Sequence, residues 1–173
     1  ASLENHVNFT DQGHREPAGP ELPTHHQAHW TFEGAVGMTP VWEAGFYLQT
    51  ALVPGEGFEY AGTKLRSKFV MPRTFSRWFR LAANFELARI PESFEHDQWS
   101  TEIRPIATLE LDYLRLSINP ILDLPLAHGA YRDGPEFEPA VSLKGKLSNR
   151  AALGLEYYAG VGPVGALAPA KDQ

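Results

Sequence analysis

The chain has 173 residues, with 15 Lys and Arg against 21 Asp and Glu and a formal net charge of −6. No basic excess is present to neutralise phosphates, so we expect no nucleic-acid partner. Cysteine is absent, which excludes disulfides and thiolate metal sites. Mean hydropathy is −0.30, and no apolar run approaches the roughly 20 residues that a membrane helix needs.

Alternation of apolar and polar residues with a period of two is the dominant pattern, and it predicts β-strands. A weak first strand is predicted over residues 3–10, and a long loop follows over 11–25. Between residues 26 and 161 the alternation recurs in eight segments, which begin near Ala28, Trp42, Lys64, Phe79, Glu102, Leu114, Phe137 and Leu153. We therefore expect nine strands in a single domain over 1–173, with a tail over 162–173.

Strand length and loop length favour a membrane barrel over a soluble β-sandwich. The strands reach the roughly 9–11 residues that a tilted membrane strand requires. Tight turns are predicted near Thr39, Pro72, Asp112 and Asn149, and longer connections over 11–25, 54–58, 91–98 and 124–136. Short turns on one rim and long loops on the other are typical of outer-membrane barrels. The prediction is an all-β, antiparallel, up-and-down transmembrane β-barrel in the bacterial outer membrane, with its N-terminus on the periplasmic side.

The apolar face of the strand cores carries no charge, and the charged residues of these cores lie on the polar face. We expect that face to line the lumen, because a charge facing lipid at the bilayer centre costs about 2–4 kcal/mol. Eight acids and eight bases make up the predicted lining: Glu33, Glu43, Lys64, Arg66, Lys68, Arg80, Glu86, Glu102, Arg104, Glu110, Arg115, Asp123, Glu138, Lys144, Lys146 and Glu156. The alternative is a soluble antiparallel β protein, such as a ligand-binding barrel, whose polar face is solvated.

Turn lengths give two expected charge pairs across neighbouring strands. A tight turn at Asp112 sets Glu110 opposite Arg115, and a three-residue turn over 149–151 sets Lys144 opposite Glu156. The first register also sets two outward-facing prolines, at positions 105 and 120, opposite each other. Because proline lacks an N–H, we expect a bulge or a break in the strand pairing there.

Nine strands are an odd number, whereas bacterial single-chain barrels have an even number and no edge open to lipid. We therefore expect the barrel to be incomplete at the C-terminus. The strand over 151–161 is expected to be unpaired along one side, or to pair with another protein chain at this open edge.

Candidate chemistry is sparse along the chain. Imidazole suits zinc, copper and nickel, so His25, His26 and His29 are weak metal-ligand candidates, but nothing at ligand spacing completes a set. A hydrolase built on Ser142 is the enzyme hypothesis, yet no histidine is predicted beside it, and neither GxSxG nor HExxH is present. We expect no enzyme activity, no catalytic residue and no cofactor.

Nine segments give the chain a family resemblance over nearly its whole length: ENHVNFT, GHREP, WEAGFYL, GTKLRSKFV, ANFELARIP, TEIRPI, INPILDLPL, FEPAVSL and LGLEYYAGVGP. These segments resemble an uncharacterised family of proteobacterial outer-membrane β-barrel proteins, and the seventh and ninth are the most specific. The resemblance implies a barrel in the Gram-negative envelope, no defined substrate and no catalytic residues. Members of that family continue past the position of Gln173 with further strands.

Two functions from different classes follow. The first is a narrow pore or porin-like transport component that contacts outer-membrane lipid. The second is a filled structural barrel or a subunit of a larger envelope complex. Small barrels of about eight strands are filled by side chains, whereas about sixteen strands leave a channel, so nine strands favour a filled or narrow lumen.

Overall fold

The structure, a computed structural model, describes residues 1–126, 134–148 and 151–166. The described residues form one antiparallel sheet of twelve strands and no helix. The strands are β1 (Ser2–Phe9), β2 (Ala28–Thr39), β3 (Trp42–Val53), β4 (Gly57–Val70), β5 (Phe79–Arg89), β6 (Trp99–Glu110), β7 (Leu114–Asn119), β8 (Leu122–Pro125), β9 (Glu136–Phe137), β10 (Ala140–Lys146), β11 (Ala152–Tyr158) and β12 (Gly162–Pro163).

The sheet has nine strand positions in the order β1-β2-β3-β4-β5-β6-β7-β10-β11, so the all-β, antiparallel, up-and-down prediction is confirmed. The short strands β8, β9 and β12 continue β7, β10 and β11 beyond interruptions and pair with one another. At the start of the predicted tail over 162–173, Gly162 pairs with Phe137. Residues 167–173 lie outside the described part of the chain.

The strands are staggered, so that the sheet curls into an open half-barrel. Trp42, the first residue of β3, shares a cross-strand row with Phe69 and Ala83. Continued in register across β6, β7 and β10, this row reaches Ala159, just past the end of β11. Ala159 is seven residues beyond Ala152, where β11 begins, whereas Trp42 is the first residue of β3. Seven residues of offset over six strand spacings correspond to a strand tilt of about 40°. Barrels are built with tilts of about 35–45°.

Within the described residues the half-barrel is open at both edges. Strand β1 pairs only with β2, and β11 pairs only with β10. The expectation that the ninth strand is unpaired along one side is therefore confirmed. The odd number of strand positions is also confirmed.

Three prolines on neighbouring strands interrupt the sheet at one level. Pairing between β6 and the β7–β8 segment stops after Ala107↔Ile118 and resumes in the same register at Ile103↔Leu122, which places Pro105 level with Pro120. Pro139, in the interruption between β9 and β10, lies level with Pro120. The predicted break is confirmed on this side of β6. On the other side it is absent, because Pro105 remains in the regular ladder with β5.

The connections do not alternate in length as cleanly as predicted. The turns at 40–41 and 111–113 are tight as expected, but the connection near Pro72 runs over 71–78 and is not. At the opposite rim the connection over 54–56 is short, whereas those over 10–27 and 90–98 are long. The turn predicted at 149–151 has two residues outside the described part of the chain.

A β-bulge in β4 determines the backbone conformation of Gly62. Gln49 pairs with Gly62 and Thr50 with Tyr60, so one extra residue is inserted in β4. Gly62 has a φ of 143°, and a Cβ there would lie 3.2 Å from the carbonyl oxygen of Arg89. Such a positive φ is accessible to glycine at little cost, which explains this residue at this position.

Candidate functional site: the charged inner face

The two faces of the half-barrel have opposite polarity. On the polar face, which we call the inner face, several side chains are nearly buried: Asn84 is 4% exposed, Glu86 7%, Thr108 7% and Glu33 8%. The outer face carries large apolar side chains that are 40–55% exposed, among them Phe32, Phe46, Leu65, Phe69, Leu81, Phe85, Leu109, Ile118 and Leu143. Polar groups are therefore sheltered and apolar groups are exposed, which is the reverse of a soluble protein.

Arg66 is the centre of the inner-face network on β2, β3 and β4. Its guanidinium forms ion pairs with Glu33 and, at 2.8 Å, with Glu43, and it donates a hydrogen bond to the Tyr47 hydroxyl at 2.6 Å. These partners lie on β2 and β3, which the register brings beside Arg66 on β4. A planar guanidinium can satisfy several acceptors at once, which suits this position.

A second network links β5, β6 and β7. The carboxylate of Glu110 lies 2.5 Å from Arg80 Nε and 3.3 Å from Arg115. Glu110 is also directly opposite Arg115, so this predicted pair is confirmed. Arg104 lies 2.7 Å from Glu102 on its own strand.

The second predicted charge pair is wrong. Glu156 lies opposite Ser142, and Lys144 lies opposite Gly154. The chain reverses around 147–151, with Leu147 and Ser148 both donating to the Ala151 carbonyl, so the centre of the turn is one residue earlier than expected. Shifting the centre by one residue moves the pairing by two, which keeps each side chain on its face but changes its partner.

Acids and bases are only partly paired on the inner face. Glu86, Glu102, Asp123 and Glu136 lie directly opposite one another on four successive strands and form a continuous row, which we call the acidic row. Lys64 lies 3.9 Å from Glu86 at one end of this row. The sequence pattern missed Glu136, because the strand was expected to begin one residue later.

The remaining predicted lining residues fall in three places. Lys68 is opposite Glu43 and Asn84, whereas Lys144 is opposite Arg115, a base facing a base. Lys146 is opposite Ala152 at the rim of the short turns. Glu138 lies in the interruption between β9 and β10, where its N–H bonds to the carbonyl of the residue after Pro120.

Two long connections fold over the inner face at one rim. Leu22 and Phe94 pack on a small buried cluster of Ala51, Val53 and Ala61, and the Leu22 N–H donates to the Ser93 carbonyl at 2.8 Å. Beneath them lies a cavity of about 240 Å³. This contact narrows the half-barrel at the rim of the long loops.

Glu95, in the second of these connections, is half-buried beside the cavity. Burial raises the pKa of the Glu95 carboxyl above its ordinary value, and the neighbouring carboxylate of Asp123 raises it further. Both effects disfavour the charged form. Protonation of Glu95 therefore stabilises the loop in the position that the structure shows.

The predicted metal candidates do not converge on one point. The rings of His25 and His26 stack at 3.9 Å, and His26 lies 3.8 Å from Asp11. His29 is instead hydrogen-bonded to Gln27 at 2.5 Å. Among the described residues, the side chains brought within metal-binding distance of one another are Glu4, His6 and Glu33, which the sequence pattern did not single out.

The Ser142 hydroxyl, the nucleophile of the hydrolase hypothesis, donates to the Glu156 carboxylate at 3.4 Å, and the Tyr158 hydroxyl donates to the same carboxylate at 2.9 Å. In the described part of the chain this serine thus has a carboxylate as its partner and not a histidine. The base that a Ser/His/acid site requires is not at this position.

No family model, no curated protein and no solved structure matches this chain. No helix long and apolar enough to cross a membrane occurs among the described residues.

Proposed function

We propose that this chain forms part of the wall of an outer-membrane β-barrel, with the outer face against lipid and the inner face along a narrow lumen. The observation that carries the proposal is the inverted polarity of the sheet. Exposed apolar side chains on every long strand would be a large solubility liability in water, whereas lipid requires them. Buried charges would be costly in a core, whereas a hydrated lumen solvates and pairs them.

Aromatic side chains support the same placement. Trp42 begins β3, and Trp30 lies opposite Thr50, eight residues further along that strand. Eight residues span about 26 Å along the strand, or about 20 Å across a bilayer at a tilt of about 40°. This separation is close to the roughly 25 Å apolar band that aromatic girdles flank in outer-membrane barrels.

The orientation of the barrel in the membrane follows from the lengths of the connections at its two rims. Ser2 pairs with Ala35, four residues from the tight turn after Thr39, so β1 begins toward the rim of that turn. Short turns face the periplasm in bacterial outer-membrane barrels. The N-terminus is therefore periplasmic and the loop pair over 10–27 and 90–98 is extracellular.

The acidic row gives the lumen its selectivity. Four carboxylates lie in one line across the inner face, and Lys64 and Arg104 offset two of them. The remaining negative charge attracts cations, as rings of Asp and Glu do in cation channels. The loop contact between Leu22 and Phe94 narrows the passage. The function that the geometry supports best is a narrow, cation-preferring pore or transport component.

A filled structural barrel is the second candidate, and the same loop contact favours it. In that case the inner-face ion pairs hold a plugged barrel together, alone or within an envelope complex. A soluble ligand-binding barrel is less consistent with the exposed outer face. It would also have to offer its ligand a polar interior.

Two measurements test the proposal. The full chain should require detergent or lipid to remain in solution, and should migrate differently on a gel before and after heating. In a planar bilayer under a KCl gradient, the reversal potential should report a preference for K⁺. Replacing Glu102 and Asp123 by their amides should reduce that preference, whereas Glu56→Gln in the short 54–56 turn should leave it unchanged. A detergent-independent monomer would contradict the membrane assignment, and absence of conductance in a correctly folded barrel would favour the filled candidate.

A further inference from the structure

The edge strand β1 carries an unusual juxtaposition of charges. The register places Glu4 directly opposite Glu33 of β2, on the same face. Like charges directly opposite each other on neighbouring strands destabilise the pair. Glu33 is only 8% exposed, so water screens its charge poorly. Arg66 offsets the charge of Glu33 from the β4 side, and a cation between β1 and β2 would remove the repulsion that Glu4 adds.

His6 lies two residues after Glu4 and shares its face. Its Nε2 atom is 3.6 Å from a carboxylate oxygen of Glu4, and one ligand atom from each of Glu4, His6 and Glu33 lies within 4.8 Å of the other two. Ligand atoms around a tetrahedral zinc ion are about 3.4 Å apart. Rotation of the exposed Glu4 and His6 side chains that shortens these separations by up to about 1.4 Å brings the ligand atoms to this spacing.

The charges of the neighbourhood favour a bound cation. Arg66 forms ion pairs with both Glu33 and Glu43, and Lys68 lies opposite Glu43. Glu4 has only His6 as its ion-pair partner in the described residues. With a neutral imidazole, three carboxylates therefore face one guanidinium and one ammonium, and a cation between Glu4 and Glu33 neutralises the remaining negative charge.

We propose that Glu4, His6 and Glu33 bind a divalent transition-metal ion of the zinc class, which fastens the edge strand β1 to β2. The imidazole ligand selects zinc, copper or nickel over calcium and magnesium, which prefer all-oxygen sites. Within the described residues β1 is held by β2 alone, so a bond across this one interface acts on a strand that has a single neighbour. The site depends only on the β1–β2 pairing and stands independently of the membrane assignment.

Calorimetric titration of the untagged full chain with zinc chloride tests the proposal, because an oligohistidine tag would bind zinc itself. We expect one ion per chain, no displacement by equimolar Ca²⁺ or Mg²⁺, and at least about tenfold weaker binding in Glu4→Gln and in His6→Ala. His26→Ala, which removes a histidine from the separate loop cluster, is the matched control and should bind zinc as the unmodified chain does. Loss of binding in His26→Ala, or unchanged binding in the two β1 variants, would overturn the assignment.

The stability of β1 provides a second readout. Without zinc, Glu4→Gln should protect the β1 amides from hydrogen exchange at least as well as the unmodified chain, because the like-charge contact is gone. With zinc, only the unmodified chain should gain protection, since a ligand that binds the folded form stabilises it. Zinc binding without any gain in β1 protection would refute the fastening role.

Discussion

A pair of adjacent substitutions on β10 separates the membrane assignment from a soluble one. Val141 and Ser142 lie near the middle of the interrupted strand formed by β9 and β10, on opposite faces. Val141 is 38% exposed on the outer face, between Ile118 and Tyr157 of the neighbouring strands. Ser142 is on the inner face, opposite Glu156.

In the proposed membrane barrel Val141→Arg places a guanidinium against lipid near the bilayer centre, and on that proposal we expect the free energy of unfolding to fall by about 2–4 kcal/mol. Ser142→Arg places the same group beside the Glu156 carboxylate, and we expect a change of no more than about 0.5 kcal/mol, as for an ordinary exposed substitution. In water both positions would behave as the second one does, because an Arg on an exposed face remains solvated.

Urea unfolding of the chain folded into phospholipid vesicles measures both variants under one condition. The membrane assignment predicts a difference of at least about 1.5 kcal/mol between them, with Val141→Arg the less stable. Equal stability, or a greater loss for Ser142→Arg, would refute the assignment of the outer face to lipid.

Three further predictions concern the backbone, the loop and the inner-face network. Gly62→Ala should lower the free energy of unfolding by about 1–3 kcal/mol in urea titration, because alanine is strained at the positive φ of this position. Gly34→Ala is the control and should not lower it, since the space around a Cβ at position 34 is open. The protection factors of the amides of residues 90–98, which are exchange rates corrected for the intrinsic pH dependence of exchange, should rise as the pH falls through the raised Glu95 pKa, since the folded loop favours the protonated form. Glu95→Gln should abolish this pH dependence and Glu92→Gln should retain it. Glu110→Gln should destabilise the chain by about 1–3 kcal/mol, because two arginines lose their shared carboxylate, and equality with the unmodified chain in urea would contradict that role.

The sequence by itself determined the strands and their faces. A side-chain period of two survives bulges and imprecise boundaries, so Glu33, Arg66 and Glu102 share one face of the sheet as their spacing indicated. Where the sequence indicates a tight turn, as at Asp112, the turn also determines the register of the two strands that it joins. Glu110 lies opposite Arg115 for that reason.

Only the tertiary structure decided which charges became partners. A one-residue change at the centre of the 147–151 turn took Glu156 away from Lys144, and no alternation pattern encodes such a shift. The acidic row and the Glu4–His6–Glu33 cluster join residues far apart in the chain, through registers that accumulate across several strands. Periodicity acts within a strand, whereas a site forms between strands, so the sequence defined the faces and the pairing of strands defined the chemistry on them.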